Sequence, residues 1–375
     1  MEYDTDQIQL EDIIPTLKKL VAIPSVSGSE YEISNYLRKY LSKCGFKTEE
    51  ISTPKCGPSI LAYHSFKSEG PNLLFYGHLD TVAPVKGWRH QPFKPTLTKN
   101  FLYGIGASDM KGGLAALIAA SIKIIQMKLR GRLTLAFSSD EELYSRGCDR
   151  MVRLGKFKRI DGALVAEPTG LNMEIGSLGR IVYDLTVQSC TYHALSKADG
   201  NAIVDASRII LNLNKLPIEK KYVTVLTVNS ETDFLSTPDT CKLLIHRQLK
   251  IGESKKQALT QMRSLVSSLH LKSHVKIKIF KRPTPDMKPY IIDKKSKIVE
   301  AVENACVKVL RRKPRKTVGI CVGDENYLVN RAKIPTVTFG PKGGNEHSPD
   351  EYVHLTSLVD TANIYVKAAE AFLAE

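Results

Sequence analysis

Histidines and carboxylates recur in this chain just beyond short apolar runs. The segment 73–82, LLFYGHLDTV, closes its apolar run on His78 and Asp80, with one residue between them. The run LTLAF (133–137) passes through two serines into Asp140, Glu141 and Glu142, and ALVA (163–166) leads straight into Glu167. PTVTF (335–339) is followed by GPKGGNEHSPDE, which holds His347 and Glu351. Asp109 stands in GIGASDMKGG, at the start of a long apolar stretch. Each has an ordinary structural explanation: Asp109 as a helix N-cap, His78 as a hydrogen-bonded core histidine, 140–142 as a solvated acidic turn. Their shared placement needs another.

Crowded carboxylates repel one another and are costly to desolvate unless cations hold them. Two histidines with three or four carboxylates, and no thiolate, suit zinc, cobalt or manganese better than calcium or magnesium. One catalytic zinc takes about three protein ligands, so the set is too large for a single ion. It fits a two-metal hydrolytic site, with ions about 3.5–4 Å apart and one carboxylate between them.

The elements that must position these groups follow from periodicity. Apolar residues at three- and four-residue spacing between residues 6 and 43 predict two helices, with SVSGSE as the break. Strands are expected at 73–76, 133–137, 163–166 and 335–339, and an apolar helix at 110–127. Strands alternating with helices imply an α/β fold with a mainly parallel sheet flanked by helices. Ligands in such sheets bind beyond the carboxyl ends of the strands, where the His and acidic groups fall. Between about 178 and 284 the texture changes to strand, helix, two strands, helix, strand, the order of a ferredoxin-like α+β unit. The expected division is therefore a catalytic domain in two parts, 1–177 and 285–375, with 178–284 inserted.

The bulk composition agrees with a globular enzyme. The 375 residues are 42% apolar and 25% charged, and no apolar run is long enough to cross a bilayer. The acidic first 14 residues do not read as a secretory signal. Seven scattered cysteines, none spaced as Cys-x-x-Cys, argue against a disulfide framework or a thiolate zinc site and fit a reducing, cytoplasmic setting. The net charge of +15 is concentrated late, in 276–283, 293–297 and 311–316. Phe280 alone falls within these runs, too few aromatics for a nucleic-acid stacking surface, so a solvated basic face that steers anionic substrates is the simpler reading.

Taken together, GHLDTV, YGIGASDMKGG, SSDEE, AEPTG and GNEHSPDEYV resemble the metallopeptidase and amidohydrolase family of acetylornithine deacetylase, succinyl-diaminopimelate desuccinylase, aminoacylase and glutamate carboxypeptidase. The resemblance implies a zinc-peptidase-like fold with an inserted dimerisation (lid) domain, two zinc ions, and a homodimer in amino-acid biosynthesis. It places His78 and Glu167 on one metal, Glu142 and His347 on the other, and Asp109 between them. Asp80 would orient His78, and Glu141 would be the general base for an attacking water. His193, in YHALSKADGNAI, matches the family histidine that stabilises the tetrahedral oxyanion, although the family's proline is missing there.

Substrate recognition departs from the pattern. Leu235 stands at the family's asparagine position before Pro238. Where the family has Asp-x-Arg, this chain reads IHRQL, so Arg247 is one place early and on the opposite strand face. Arg247 is thus the candidate anchor for a substrate carboxylate, out of register. The expected activity is hydrolysis of an N-acyl amino acid, with a dipeptidase, carboxypeptidase or desuccinylase as alternatives. An acidic carrier protein bearing the substrate is a further partner class, and a noncatalytic binder on the same fold is the alternative outside enzymes. Trp88, His90 and Phe93 are expected at the pocket mouth, Asp324 in a supporting role, and Cys321 as an ordinary thiol.

Overall fold

The computed structural model of the chain describes residues 7–196, 200–233 and 235–374. They form two units, one running to Ser177 and resuming at Ile291, the other spanning Leu178–Tyr290. The second junction therefore lies at 290/291 rather than after 284.

The first unit opens with α1 (Leu10–Ala22) and α2 (Tyr31–Lys43), amphipathic helices that bury Ile13, Leu17 and Leu20, and Ile33, Leu37 and Leu41. There follow β1 (Lys47–Ile51), β2 (Ser59–Ser65), β3 (Ser68–His78), β4 (Thr96–Leu97), β5 (Phe101–Tyr103), α3 (Gly113–Ile124), β6 (Arg130–Ser138), α4 (Arg146–Arg153), β7 (Gly162–Val165) and β8 (Met173–Ser177). Helix α3 starts later than the sequence predicts. Residues 107–112 form one irregular turn, with Asp109 (φ −113°, ψ 96°) and Met110 (φ −126°, ψ 29°) outside helical geometry. The helix is buried nearly all round, as its composition requires. Its first residue must be glycine, because a Cβ at Gly113 would stand 1.9 Å from the Ala166 carbonyl oxygen, on the segment that presents Glu167.

The inserted unit contains β9 (Gly179–Gln188), α5 (Ala202–Leu211), β10 (Val223–Asn229), β11 (Thr240–Leu249), α6 (Lys255–Ser268) and β12 (His274–Ile279). Its sheet has the order β10-β11-β9-β12, wholly antiparallel, which is the ferredoxin-like arrangement. Alternation along β9 and β11 turns Tyr183, Leu185, Leu243 and Ile245 into a core with Ile209 and Met262 from the helices. Asn201 caps α5, its Oδ1 accepting the N–H groups of Ile203 and Val204. Ser254 and Gln257 form a reciprocal cap on α6.

The chain returns through β13 (Tyr290–Ile291), α7 (Lys297–Leu310), β14 (Lys316–Gly319), α8 (Glu325–Asn330), β15 (Thr336–Thr338), β16 (Gly343–Gly344), β17 (Tyr352–His354) and α9 (Leu355–Leu373). The large sheet runs β1-β2-β6-β3-β7-β15-β8, with β14 also on β8. It is mixed rather than mainly parallel. The strands β6, β3, β7 and β15 are mutually parallel, while β1, β2 and the β15–β8 pairing are antiparallel. The loop 52–58 is too short for the crossover that parallel strands need. A smaller antiparallel sheet, β16-β17-β5-β4, lies in the same unit. Among the described residues no helix is long and apolar enough to cross a membrane.

Candidate metal centre

The parallel strands β3, β6 and β7 deliver histidine or carboxylate groups to one edge, and the loop after β16 brings another there. His78 is the last residue of β3, Glu141 and Glu142 follow β6, Glu167 follows β7, and His347 sits on the loop between β16 and β17. Asp109 comes from the irregular turn before α3. Two donor groups result, His78–Asp109–Glu167 and Asp109–Glu142–His347, each with ligand atoms within 4.8 Å of one another.

Asp109 belongs to both, and its two oxygens divide between them. Oδ1 lies 3.0 Å from Nε2 of His78, and Oδ2 lies 3.3 Å from Nε2 of His347. Glu167 Oε1 is 3.6 Å from the His78 ring nitrogen, and Glu142 Oε2 is 3.0 Å from that of His347. His78 is buried, whereas the His347 side chain is about half exposed (51%). The structure thus brings together all five residues that the sequence reading places on the metals.

Asp80 departs from its expected part. The Nδ1 of His78 lies 2.9 Å from the Asp80 main-chain oxygen, against 3.7 Å from the carboxylate. The carboxylate instead accepts the N–H of Glu141 (3.0 Å), the N–H of Glu142 (3.1 Å) and the hydroxyl of Ser27 (2.7 Å). Backbone carbonyls fix ligand tautomers as carboxylates do. Asp80 therefore orients His78 through its main chain and holds the 141–142 segment through its side chain.

Electrostatics mark this edge as built for cations. Burial raises Glu141 and Glu167 well above the usual carboxylate range, with further repulsion from Asp324 and Asp109 respectively. Burial alone would lower His78, but Glu167 and Asp109 hold it well above its ordinary value. Hydrogen bonds to Asp109 and Glu142 lift His347 to about 10. Burial would raise Asp109, but the two histidines bring it far down. Divalent ions relieve the same repulsion directly.

Around these groups, Asp324 takes the supporting place expected of it, with partners the sequence does not show. Asp324 is buried and accepts the hydroxyls of Tyr76 and Ser138 at 2.6 Å each. Gly323 allows two carboxylates to approach the backbone, since a Cβ there would lie 2.8 Å from Glu141 Oε1 and 2.6 Å from Glu325 Oε2. Trp88 lies against Val82, Pro84, Ile105 and His347, while His90 stacks on Tyr103 instead.

Glu174, on β8, gives a test of these buried acids. Burial lifts it from 4.5 to about 7. Below pH 4.5 it is protonated whether the chain is folded or not. Between 4.5 and about 7 only the unfolded chain releases the proton, so stability falls as pH rises through that window. The Glu174→Gln protein lacks this loss. Its stability relative to wild type is expected to rise by up to about 3 kcal/mol between pH 4.5 and 8, read from urea unfolding of the metal-free proteins. A difference independent of pH would mean that Glu174 ionises normally.

Two candidates lie in the inserted unit. His193 is exposed, on a loop bridged to Ser236, and its Nδ1 accepts the Leu195 N–H at 3.2 Å. Arg247 is fully buried, with Nη2 donating to Glu253 Oε1 (2.7 Å) and Gln261 Oε1 (2.6 Å). It points with Leu243 and Ile245 toward the helices. As a substrate anchor Arg247 is therefore corrected: its place on the strand puts it inside the domain. All seven cysteines are free thiols.

A parallel sheet edge carrying two histidine–carboxylate groups that share one aspartate defines a metallohydrolase site. Residues 74–371 match peptidase family M20/M25/M40, and the chain belongs to that family. It is accordingly a metal-dependent hydrolase acting on amide or peptide bonds. A succinyl-diaminopimelate desuccinylase of Pelagibacter ubique is 26% identical over 376 aligned residues, covering 94% of this chain and 96% of the relative. Among solved structures, a tripeptidase from Staphylococcus aureus superposes with a TM-score of 0.83 at 18% identity, covering 96% of this chain and 98% of its own. A dinuclear metal binding peptidase of the M20 family from Bacillus subtilis gives 0.72 at 16% identity, covering 96% and 97%.

Proposed function

We propose that this chain is a two-metal hydrolase that removes the acyl group from an N-acyl amino acid, with N-succinyl and N-acetyl amino acids as the substrate class. The observation that carries the reading is Asp109, whose two oxygens face two separate histidine–carboxylate groups. The donors, all imidazole and carboxylate, suit zinc, cobalt or manganese. One such ion would be held by His78, Asp109 and Glu167 and a second by Asp109, Glu142 and His347, supplying Lewis acidity toward the carbonyl and toward water.

The remaining work falls to the chain. Glu141, outside both donor groups, takes a proton from the attacking water on its carboxylate and returns it to the leaving amine. Asp80 keeps Glu141 in place through the hydrogen bond from its N–H. With Nδ1 of His193 occupied as an acceptor, a neutral ring carries its proton on Nε2, the tautomer that can donate to an oxyanion.

The desuccinylase likeness supports the N-acyl reading. A peptidase is the alternative: a dipeptide and an N-acyl amino acid both present a carboxylate beside the scissile amide, and Arg247, engaged by Glu253 and Gln261, distinguishes neither. A panel of N-succinyl amino acids, N-acetyl amino acids, dipeptides and tripeptides, run on zinc- and cobalt-loaded protein, separates the two. Turnover of peptides alone would move the protein to the peptidase branch, and no turnover with no metal uptake would overturn the hydrolase mechanism.

The homodimer belongs to the same proposal. Strand β10 is an edge strand with Leu226 and Val228 about half exposed, and α5 exposes Ile203, Val204 and Leu211. Open apolar edges are normally covered. Sedimentation equilibrium should give twice the chain mass, 41.7 kDa, and a monomer at micromolar concentration would refute the assignment. An acidic carrier as substrate partner predicts turnover that falls steeply with salt.

A further inference from the structure

The loop that presents Asp109 closes on itself at two points, Ala107 N–H to the Gly104 carbonyl (3.1 Å) and Lys111 N–H to the Gly106 carbonyl (2.7 Å), and is otherwise held from a distant part of the chain. One carboxylate, Glu351, accepts three of its backbone N–H groups. Oε2 takes the N–H of Gly106 at 2.7 Å, and Oε1 takes those of Ser108 and Asp109, both at 2.9 Å. The Glu351 carbonyl also accepts the Gly104 N–H at 3.0 Å. The residue is 2% exposed, so the carboxylate has traded water for these amides, and bonds of this charge-assisted kind are strong and directional.

Its position in the fold matters as much as its bonds. Strands β16 and β17 pair as a hairpin, and β17 in turn pairs with β5. The hairpin loop carries His347, and Glu351 closes that loop immediately before β17. One end of Glu351 is therefore fixed to the element that presents His347. Its carboxylate is fixed to the element that presents Asp109. A second joint runs alongside, from the Ser108 hydroxyl to Glu346 Oε1 at 2.6 Å. The buried Lys111 anchors the end of the same turn, its Nζ donating to the Ile23 carbonyl at 3.0 Å.

We infer that Glu351 is a positioning residue for the metal centre: it sets the separation of Asp109 from His347 and so the geometry of the Asp109–Glu142–His347 donor group. The inference rests on the two-metal reading above. Ligand-orienting partners of this kind are worth about 10- to 100-fold in metal affinity. Glutamine at 351 would keep one acceptor oxygen and turn an NH₂ group toward amides that need an acceptor. Aspartate would keep the charge and shorten the reach by one methylene.

The test is a Co(II) titration of wild type, Glu351→Gln and Glu351→Asp, followed by visible absorption and by competition with a chelator, with circular dichroism reporting the fold. Both variants are expected to bind the weaker equivalent of Co(II) about 10- to 100-fold less tightly, with an altered absorption band. Folded variants with the wild-type spectrum and both wild-type affinities would overturn the inference. If Glu351→Gln does not fold, the Glu351→Asp spectrum decides. Failure of both to fold would assign Glu351 to the scaffold and overturn it as well. Wild-type protein that takes up no Co(II) would overturn the two-metal reading and the inference with it, an outcome separate from a change confined to the variants.

Discussion

Replacing Glu141 with glutamine is expected to lower kcat by about 10²- to 10⁴-fold while the protein keeps its full complement of metal. Glu141 stands beside the ligands but belongs to neither donor group. Burial, together with repulsion from Asp324, Glu142 and Asp80, pushes its carboxyl well above the usual range, opposed by His78. A carboxylate that would rather be protonated is a good proton acceptor once a cation lies nearby. Glutamine preserves the shape and the backbone bond to Asp80 but cannot take a proton. Steady-state kinetics and elemental analysis on the same preparation separate the cases. Lost metal together with lost turnover would make Glu141 a ligand, and full turnover would remove it as the base.

Most of this centre was legible because its residues lie next to the elements that carry them. His78 and Glu167 follow apolar runs directly, and the parallel strands β6, β3, β7 and β15 turn that local pattern into a shared edge. The period of two along β11 likewise predicted that Arg247 would face away from the family's arginine position, and it does. Features made by distant residues were hidden. Met110 reads as the start of a helix, yet it stands outside helical geometry beside a loop bound by Glu351, more than 230 positions away (243 for Ser108). The hydrogen bonds of Asp80 to residues 141 and 142, and the Tyr76–Asp324–Ser138 group, arise only after the sheet has formed. The antiparallel edge leaves no mark in the alternation of strands and helices, because β1 and β2 carry no helix between them.

Changing Asp109 should cost more metal than changing any other ligand. His347 serves one donor group and Asp109 serves both. The His347→Ala protein is therefore expected to retain about one ion per chain, held by His78, Asp109 and Glu167, where wild type holds about two. Asp109→Ala should retain neither at micromolar concentration, and turnover should fall by at least about 10³-fold, the order at which electrostatic stabilisation of a hydrolytic transition state is lost. Folding complicates the comparison less than it first suggests. Asp109 itself is partly exposed, and the amide that Glu351 holds at this position survives the substitution. Calorimetric zinc titration of the two variants gives the stoichiometries directly. Equal stoichiometry in both would mean that Asp109 does not bridge, and that the two groups drawn together at this sheet edge are one site described twice.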